Sequence, residues 1–310
     1  MNQFGIYQVS IPLPYWNDSV HCYLGQNEGK WTIIDTSMNN EKTRQCWEAA
    51  FSRFKINPKR EVERIFITHH HPDHFEYASE LQRQTGADIF INQKEQSNLI
   101  FLEKESFSSY YLTAGMPQEL VMQLHPVNHS TKKFPNNIHT FDPNVQYPIG
   151  ELHFEAIQMP GHSDGHICFY NREEQILISG DHLTRETIPY ISYHGYGDVN
   201  PLSTYLETLM NMLSMKISLV LPGHGPNFTD AKERIIELIH HYETRISHVL
   251  ALVTGEMSAF EISNTLFPNN TTVLDQWIAL GETNAYLNYL TAKGKIGVLK
   301  EHHVNKYFRL

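Results

Sequence analysis

The chain has 310 residues, of which 41% are hydrophobic and 19% are charged, and its formal net charge is −10. This length and composition predict a globular protein with a sizeable buried core, folded as one large domain or two smaller ones. The acidic balance argues against broad non-specific binding to nucleic acid, because such binding needs clustered lysine and arginine side chains that neutralise phosphates.

The N-terminal segment and the cysteines bear on where the protein acts. No basic stretch followed by an apolar one opens the chain, so the pattern of a secretory signal is missing. The apolar runs at 65–67 and 217–221 are far too short to span a bilayer. The three cysteines, Cys22, Cys46 and Cys168, are widely spaced and form no CxxC pair, which is typical of reduced thiols. We therefore expect a cytoplasmic protein that does not enter a membrane.

Strands and helices alternate along the first part of the chain. In the first predicted helix, Trp47, Ala50 and Phe51 form an apolar stripe at helical spacing. The alternation is typical of an α/β sandwich. The predicted strands cover residues 6–11, 20–24, 31–35, 63–68 and 88–91, and the predicted helices cover residues 40–54 and 75–85.

The rest of the chain divides into a helical insertion, a second run of strands and a helical end. Residues 93–124 are predicted to be helical; they form either a cap beside a functional site or a plain structural insertion, and both interpretations stay open. We predict two domains, 1–230 and 231–310, with this cap in the first. The later predicted strands cover 139–141, 152–157, 166–170, 175–179 and 217–221, and the later predicted helices cover 202–212, 229–254, 258–266, 274–281 and 283–293, before two short β-like runs.

A cluster of histidines follows the strand predicted at 63–68, with the spacing His69-x-His71-x-Asp73-His74. Alternate residues that leave a strand project in the same direction, so His69 and His71 can reach one metal. Asp73 and His74 come at the turn into the next helix and can reach a second metal beside it. Imidazole and carboxylate groups are ligands that Zn²⁺ prefers. The segment therefore predicts a metal site at the end of a strand, where the active sites of α/β proteins usually lie.

This segment resembles the signature of the metallo-β-lactamase superfamily, and three later segments match further motifs of that family in the same order. They are Gly161-His162-Ser163-Asp164-Gly165-His166, Ser179-Gly180-Asp181-His182 and Leu221-Pro222-Gly223-His224-Gly225. The resemblance covers residues 6 to about 228 and implies an αββα sandwich with two metals. It implies a first metal bound by His69, His71 and His162, a second metal bound by Asp73, His74 and His224, and a bridging ligand, Asp181.

The same resemblance implies supporting roles for other residues near these motifs. Asp35 matches an aspartate at a strand end that supports the site without binding metal. His70 is expected to be a spacer that points away from the metals, toward solvent or toward a supporting contact. His166 and His182 are expected to orient ligands or to satisfy backbone groups.

Two positions narrow the activity that the resemblance implies. Asp181 stands where many β-lactam-cleaving members carry cysteine, and His71 stands where the diiron oxygen-reducing branch carries glutamate. Asp181 therefore argues against antibiotic hydrolysis as the activity, and His71 favours hydrolysis over redox chemistry. Two metals that share one hydroxide would supply a nucleophile near neutral pH, and Asp73 would accept a hydrogen bond from it and pass a proton to the leaving group. The expected cofactors are two divalent ions, with Zn²⁺ preferred over Mn²⁺ or Fe²⁺.

The segment from residue 231 resembles the small winged-helix domain of one branch of the superfamily. That branch is similar to β-lactamase-like protein 2 and glyoxalase II, and it includes a nuclease of single-stranded RNA. The segment carries eight basic and eight acidic residues, which favours a solvated face over a nucleic-acid patch. The basic residues considered for such a patch are Lys293, Lys295, Lys300, Lys306 and Arg309.

Three functions follow from these patterns. The leading hypothesis is a dinuclear metal-dependent hydrolase of a small ester, thioester or lactone. The alternatives are a single-strand endoribonuclease and a non-catalytic, metal-binding regulatory protein. A small-molecule substrate is therefore the expected partner, nucleic acid is not favoured, and nothing in the sequence indicates an oligomeric state. Tyr190, Tyr193 and Tyr196 either line a substrate pocket or pack as loop aromatics, and both interpretations stay open.

Overall fold

The strands and helices of the computed structural model lie within residues 4–14, 18–104, 107–128 and 135–310, which are the residues the structure describes. The strands are β1 (Ile6–Pro12), β2 (Ser19–Asn27), β3 (Lys30–Ile34), β4 (Val62–Phe66), β5 (Asp88–Phe90), β6 (Ile138–His139), β7 (Gln146–Ile149), β8 (Leu152–Gln158), β9 (Ile167–Asn171), β10 (Ile176–Gly180), β11 (Leu219–Pro222), β12 (Met257–Ser258), β13 (Ile296–Glu301) and β14 (Val304–Arg309). The helices are α1 (Glu41–Phe54), α2 (Pro58–Glu61), α3 (Pro72–Phe75), α4 (Ala78–Thr85), α5 (Gln93–Lys104), α6 (Ser108–Thr113), α7 (Gln118–Asn128), α8 (Pro201–Met212), α9 (Ala231–Leu252), α10 (Ala259–Leu266) and α11 (Val273–Ala292).

The chain divides into two compact units. The first comprises Met1–Ser97, Lys132–Pro189 and Ser214–Arg234, and the second comprises Asn98–Thr131, Tyr190–Leu213 and Ile235–Leu310. The last change of unit lies close to the predicted boundary at residue 230, but the second unit also takes two earlier stretches of the chain. None of the helices in the described residues is long and apolar enough to cross a membrane.

Two sheets form the first unit. One has the order β1-β2-β3-β4-β5-β6, with antiparallel pairing from β1 to β3 and parallel pairing from β3 to β6. The other has the order β11-β10-β9-β8-β7, and its β10–β11 pair is parallel. In the first sheet, the parallel pairs need crossover connections, and α1 and α2 supply the one between β3 and β4.

Aromatic side chains from both sheets form the core of the first unit. Phe66 of β4 stacks on Phe169 of β9 with ring centroids 5.5 Å apart, and both rings are fully buried. Tyr147 of β7 and Phe141 pack edge-on against Phe66. Burial of each such ring contributes about 1.5–3 kcal/mol, so this contact between the sheets stabilises the sandwich that carries the site.

Short hydrogen bonds join the loops that leave these strands. Ile167 N donates to Thr68 O at 2.9 Å, which ties the start of β9 to the segment after β4. Gly223 N donates to Gly180 O, and His21 N donates to Gly223 O, both at 2.7 Å. The segments after β4, β10 and β11 and the turn between β8 and β9 are thereby held at one edge of the sandwich.

The second unit contains the three-stranded sheet β12-β14-β13, together with α10 and α11. Helix α10 begins with a capping box, in which the Ser258 side chain accepts from Glu261 N and the Glu261 carboxylate accepts from Ser258 N. Lys306 of β14 also forms an ion pair with Glu261 at 2.8 Å. The sequence did not predict the short strand β12 of this unit.

One predicted break in the second unit is wrong. The sequence predicts separate helices at 274–281 and 283–293, whereas α11 runs unbroken through Gly281. Close packing accounts for glycine at position 281, because a Cβ there would overlap the His194 ring and lie 2.6 Å from the Tyr190 hydroxyl. In the first unit, the helix predicted at 75–85 begins later in the structure. Helix α3 ends at Phe75, and α4 begins at Ala78.

Candidate metal centre

Three imidazoles form the first cluster of candidate ligands. His69 and His71 follow β4, and His162 lies in the turn between β8 and β9. His71 Nδ1 and His162 Nε2 lie 3.0 Å and 3.1 Å from His69 Nε2. Three ring nitrogens therefore converge on one point, and the His69 and His162 rings are buried.

Hydrogen bonds behind His69 determine which of its nitrogens is free. Thr68 Oγ1 lies 2.8 Å from Asp35 Oδ2 and 3.0 Å from His69 Nδ1. Because a carboxylate only accepts, Thr68 donates its single proton to Asp35 and accepts from His69 Nδ1. His69 Nε2 then keeps its lone pair on the side of His71 and His162, as a metal ligand must.

The second cluster contains Asp73, His74, Asp181 and His224. His224 Nε2 lies 3.2 Å from Asp73 Oδ2, and His74 Nε2 lies 3.1 Å from Asp181 Oδ1. Within each cluster the candidate ligand atoms all lie within 4.8 Å of one another. The structure therefore brings together all seven residues that the sequence predicts as ligands, with Asp181, the predicted bridging ligand, in the second cluster.

Asp181 connects the two clusters. Its Oδ2 lies 3.6 Å from His162 Nε2 in the first cluster and 3.5 Å from His224 Nε2 in the second. Its backbone N–H donates to His166 Nε2 at 3.2 Å, so His166 satisfies a backbone group, as predicted for one of its two roles. A carboxylate placed between two groups of imidazoles suits a ligand shared by two divalent cations.

Asp35, which directly follows β3, supports the site through hydrogen bonds. Its Oδ1 accepts from Thr68 N at 2.8 Å, and its Oδ2 lies 2.8 Å from His74 Nδ1. The residue is buried and has a φ of 58°, in the left-handed region that aspartate tolerates better than most residues. This conformation places one carboxylate against two segments of the site and leaves His74 Nε2 facing Asp181.

Two acidic residues near the site were not predicted. Asp18 Oδ2 lies 3.3 Å from His224 Nδ1, and its hydrogen bond to His224 lowers the pKa of Asp18. Glu95 accepts from His70 N at 2.9 Å and lies 2.5 Å from His70 Nδ1. Of the two orientations expected for His70, the structure shows a supporting contact, because its ring is only 5% exposed.

The electrostatics of the first cluster favour neutral imidazoles. Burial lowers the pKa of His69 and of His71 well below the usual value, and neighbouring imidazoles lower it further. Both rings are therefore uncharged at neutral pH. Their lone pairs are available to a cation, which is the state that metal binding requires.

The second cluster has the opposite balance. Burial acts to lower the pKa of His74 and His224, but the neighbouring carboxylates, with Asp181 the strongest of them, together outweigh it, and the pKa of His224 rises to about 10. Burial acts to raise the pKa of Asp181, but His74 and His224 hold it well below its usual range. Buried carboxylates are thus balanced by protons on imidazoles, and a divalent cation would displace those protons.

The donor set fits a pair of borderline divalent metals such as Zn²⁺. The seven side chains offer only imidazole nitrogens and carboxylate oxygens, which are typical ligands for Zn²⁺, Mn²⁺ and Fe²⁺. His74 Nε2 and Asp181 Oδ1 are buried, face each other and have no hydrogen-bond partner among the described residues. A cation between them would satisfy both atoms.

Together these features define an α/β protein with two adjoining histidine–aspartate clusters, a candidate metal centre, at the edge of a two-sheet sandwich. Residues 15–224 match the family model of the metallo-beta-lactamase superfamily. The chain therefore belongs to the metallo-beta-lactamase superfamily.

Named relatives support the same family. The probable metallo-hydrolase YqjP of Bacillus subtilis (strain 168) is 22% identical over 308 residues, which cover 93% of this chain and 92% of YqjP. The lactamase-like protein adaB of Aspergillus niger is 35% identical over 225 residues, or 72% of this chain. This chain spans only 55% of the length of adaB.

Two solved structures resemble the chain along nearly all of its length. A metallo-beta-lactamase family protein, TTHA1429 from Thermus thermophilus, is 28% identical with a TM-score of 0.87, and the match covers 99% of both chains. A beta-lactamase domain protein from Burkholderia ambifaria is 26% identical with a TM-score of 0.89, covering 99% of this chain and 92% of the other. The predicted superfamily and its mixed α/β fold are confirmed.

Replacing Gly223 by alanine should damage the second cluster. A Cβ at Gly223 would overlap Asp181 Oδ1 and lie 2.8 Å from His74 Cε1, so both ligands would have to move. We expect metal affinity to fall roughly 10- to 100-fold, as for lost supporting contacts at metal sites. Isothermal titration with Zn²⁺ measures this. The control is Gly255→Ala, where a Cβ meets nothing within 4 Å; equal affinities in the two variants would contradict the expectation.

Proposed function

We propose that this chain is a dinuclear metal-dependent hydrolase of an ester, thioester or lactone of a small molecule. The observation that carries this proposal is the convergence of seven ligand side chains into two clusters that share Asp181. A single structural metal would need about four ligands with no group left over. Two clusters with one common carboxylate are instead typical of hydrolytic sites that bind two metals.

Each candidate ligand has a proposed role in binding the metals. When bound, the metals supply a water of lowered pKa and a Lewis acid for the substrate oxygen. His69, His71 and His162 would hold one ion, and Asp73, His74 and His224 would hold the other. Asp181 would be shared and would offset part of their charge. The native metal is proposed to be Zn²⁺, because most of the candidate donors are imidazole nitrogens and the others are carboxylates, a combination that Zn²⁺ binds well.

Asp73 is proposed to transfer the proton to the leaving group. Burial acts to raise the pKa of Asp73, but His74 and His224 outweigh it and lower the pKa, so the carboxylate is ionised at neutral pH. Its side chain is 16% exposed, which leaves it open to a substrate, while the His74 side chain is fully buried. An ionised, accessible carboxylate can accept a proton during attack and deliver it to the leaving group.

A second candidate function is cleavage of single-stranded RNA. The observation that favours it is the element order α9, β12, α10, α11, β13 and β14, which is the order of a winged helix. Electrostatics argue against it, because Lys306 of the proposed basic patch is paired with Glu261. The winged-helix interpretation, and membership of the branch that carries such a domain, therefore rest on element order alone.

A third candidate, a non-catalytic metal-binding regulator, is less well supported. Regulation by metal needs the ligands alone, whereas Asp73, itself a candidate ligand, is also ionised and partly exposed, as a group that transfers a proton must be. The candidate predicts full metal content with no turnover of any substrate class. Metal analysis and an activity screen on one sample therefore separate it from the hydrolase.

The experiment is a substrate panel on a single Zn²⁺-loaded sample. Thioesters, lactones, p-nitrophenyl esters and an end-labelled single-stranded RNA are tested beside His69→Ala and the matched control His248→Ala, which changes an exposed histidine of α9. We expect turnover of a small-molecule class by wild type and His248→Ala, and none by His69→Ala. Cleavage of the RNA alone would favour the second candidate, and no turnover above His69→Ala would overturn both.

A further inference from the structure

Glu95 is a buried carboxylate outside the set of candidate ligands. It lies in the first turn of α5, its side chain is fully buried, and neither ligand cluster includes it. Burying an ionised carboxylate is costly unless charged or hydrogen-bonding groups surround it. The hydrogen-bond partners of Glu95 therefore indicate its role.

Each carboxylate oxygen of Glu95 holds a different ligand-bearing segment. Oε2 accepts from His70 N at 2.9 Å and lies 2.5 Å from His70 Nδ1. Oε1 accepts from Ser163 Oγ at 2.8 Å and from Gly165 N at 2.5 Å. His70 lies between the ligands His69 and His71, and Ser163 directly follows the ligand His162. One side chain thus spans the two segments that supply the whole first cluster.

We propose that Glu95 is a positioning residue that sets the His162 turn against the His69–His71 segment and so shapes the first metal site. This inference rests on the proposed function in one respect, namely that the first cluster binds a metal. In the first cluster, His69 Nε2 lies only 3.0 Å from His71 Nδ1 and 3.1 Å from His162 Nε2. A small shift of one segment relative to the other would therefore change the coordination geometry.

The contacts require a carboxylate and not merely a side chain of this shape. The backbone N–H groups of His70 and Gly165 can only donate, and they bond to different oxygens of Glu95. A glutamine offers one acceptor oxygen and one NH₂ donor. It would leave one of the two N–H groups facing another donor in a buried place, which is unfavourable.

The turn that carries His162 is also shaped to reach Glu95. A Cβ on Gly165 would lie 2.5 Å from Asn92 Oδ1 and 3.1 Å from Lys94 Cβ, just before Glu95 in the chain. Gly165 therefore allows its backbone to approach the start of α5 closely enough for the bond to Glu95 Oε1. This close approach is a second, independent indication that the turn carrying His162 packs against the start of α5.

The test compares Glu95→Gln with Glu119→Gln. Glu119 also lies in the first turn of a helix, α7, but is exposed, so it controls for the same chemical change. Zn²⁺ affinity is measured by competition with a chromophoric chelator, and the visible spectrum of Co²⁺-loaded protein reports ligand geometry. We expect Glu95→Gln to bind Zn²⁺ roughly 10- to 100-fold more weakly and to show an altered Co²⁺ spectrum, with Glu119→Gln unchanged.

Other outcomes separate the possible failures. Unchanged affinity and spectrum in folded Glu95→Gln would overturn the role of Glu95 while leaving the proposed function intact. A wild-type protein that binds no Zn²⁺ would overturn both. If Glu95→Gln does not fold, Ser163→Ala removes one bond to Oε1 and keeps the backbone bonds; an altered Co²⁺ spectrum there supports the proposal, and a wild-type spectrum overturns it.

Discussion

Replacing Asp181 by asparagine should reduce hydrolysis of the best panel substrate roughly 1000-fold. The amide keeps the shape of the side chain but removes the charge that faces His162, His74 and His224. Transition-state stabilisation by metal sites amounts to several kcal/mol, and about 1.4 kcal/mol corresponds to a factor of ten in rate. Loss of the ligand proposed to be shared by both metals should therefore lower kcat/KM by about three factors of ten.

The matched control for this variant is Asp88→Asn, which makes the same change on an exposed carboxylate of β5. It should retain wild-type kcat/KM. Circular dichroism and Zn²⁺ content of each purified variant separate loss of chemistry from loss of fold. An Asp181→Asn protein that is folded and keeps more than a tenth of wild-type activity would show that Asp181 is not a shared ligand.

Removal of the metals should destabilise the protein measurably. Without cations, the Asp73 and Asp181 carboxylates are balanced only by protons on His74 and His224. His74 Nε2 and Asp181 Oδ1 then stay buried without a hydrogen-bond partner among the described residues. A ligand present at about 1000 times its Kd stabilises the folded state by about 4 kcal/mol. For a protein of this size, that corresponds to a fall in Tm of roughly 5–10 °C on chelation.

Differential scanning calorimetry with and without a chelator measures this change, and added Zn²⁺ should restore Tm. The double variant His69→Ala/Asp181→Asn provides the control, because chelation should leave its Tm unchanged. A wild-type Tm that does not respond to chelator or Zn²⁺ would contradict metal binding in the folded state.

The first half of the site was predictable because its geometry is local. His69, His71, Asp73 and His74 lie within one segment, and the alternation of side chains after a strand determines which of them can converge. His162, Asp181 and His224 come from three other segments. Each of those motifs is short and weak alone, so only their order in the superfamily related them to the first.

Two of the supporting carboxylates, Glu95 and Asp18, were not predictable from local patterns. Glu95 stands in a stretch whose residues predict only a helix, and its partners lie 25, 68 and 70 residues away. Asp18 precedes β2 in a loop without any motif, and its partner is His224. Such contacts depend on how distant segments pack, and neither composition nor periodicity records that information.

Non-local packing also explains the errors in the fold. The glycine at 281 suggests a break because glycine is a poor helix former, but His194 and Tyr190 pack against that point of α11. The Tyr190 hydroxyl donates to Ile278 O at 2.8 Å and lies 3.0 Å from His194 Nε2, which favours packing for this tyrosine over a pocket wall. The second unit likewise gathers three separate stretches that no single linker marks.

The number of metal ions bound per chain tests the central claim most directly. Wild-type protein is loaded with Zn²⁺, freed of excess metal by gel filtration and analysed by inductively coupled plasma mass spectrometry. Two clusters with a shared carboxylate predict about two ions per chain, and about one in His69→Ala, which loses a ligand of the first cluster only. A wild-type protein that retains almost no metal under these conditions would contradict the assignment of the seven side chains as a dinuclear centre.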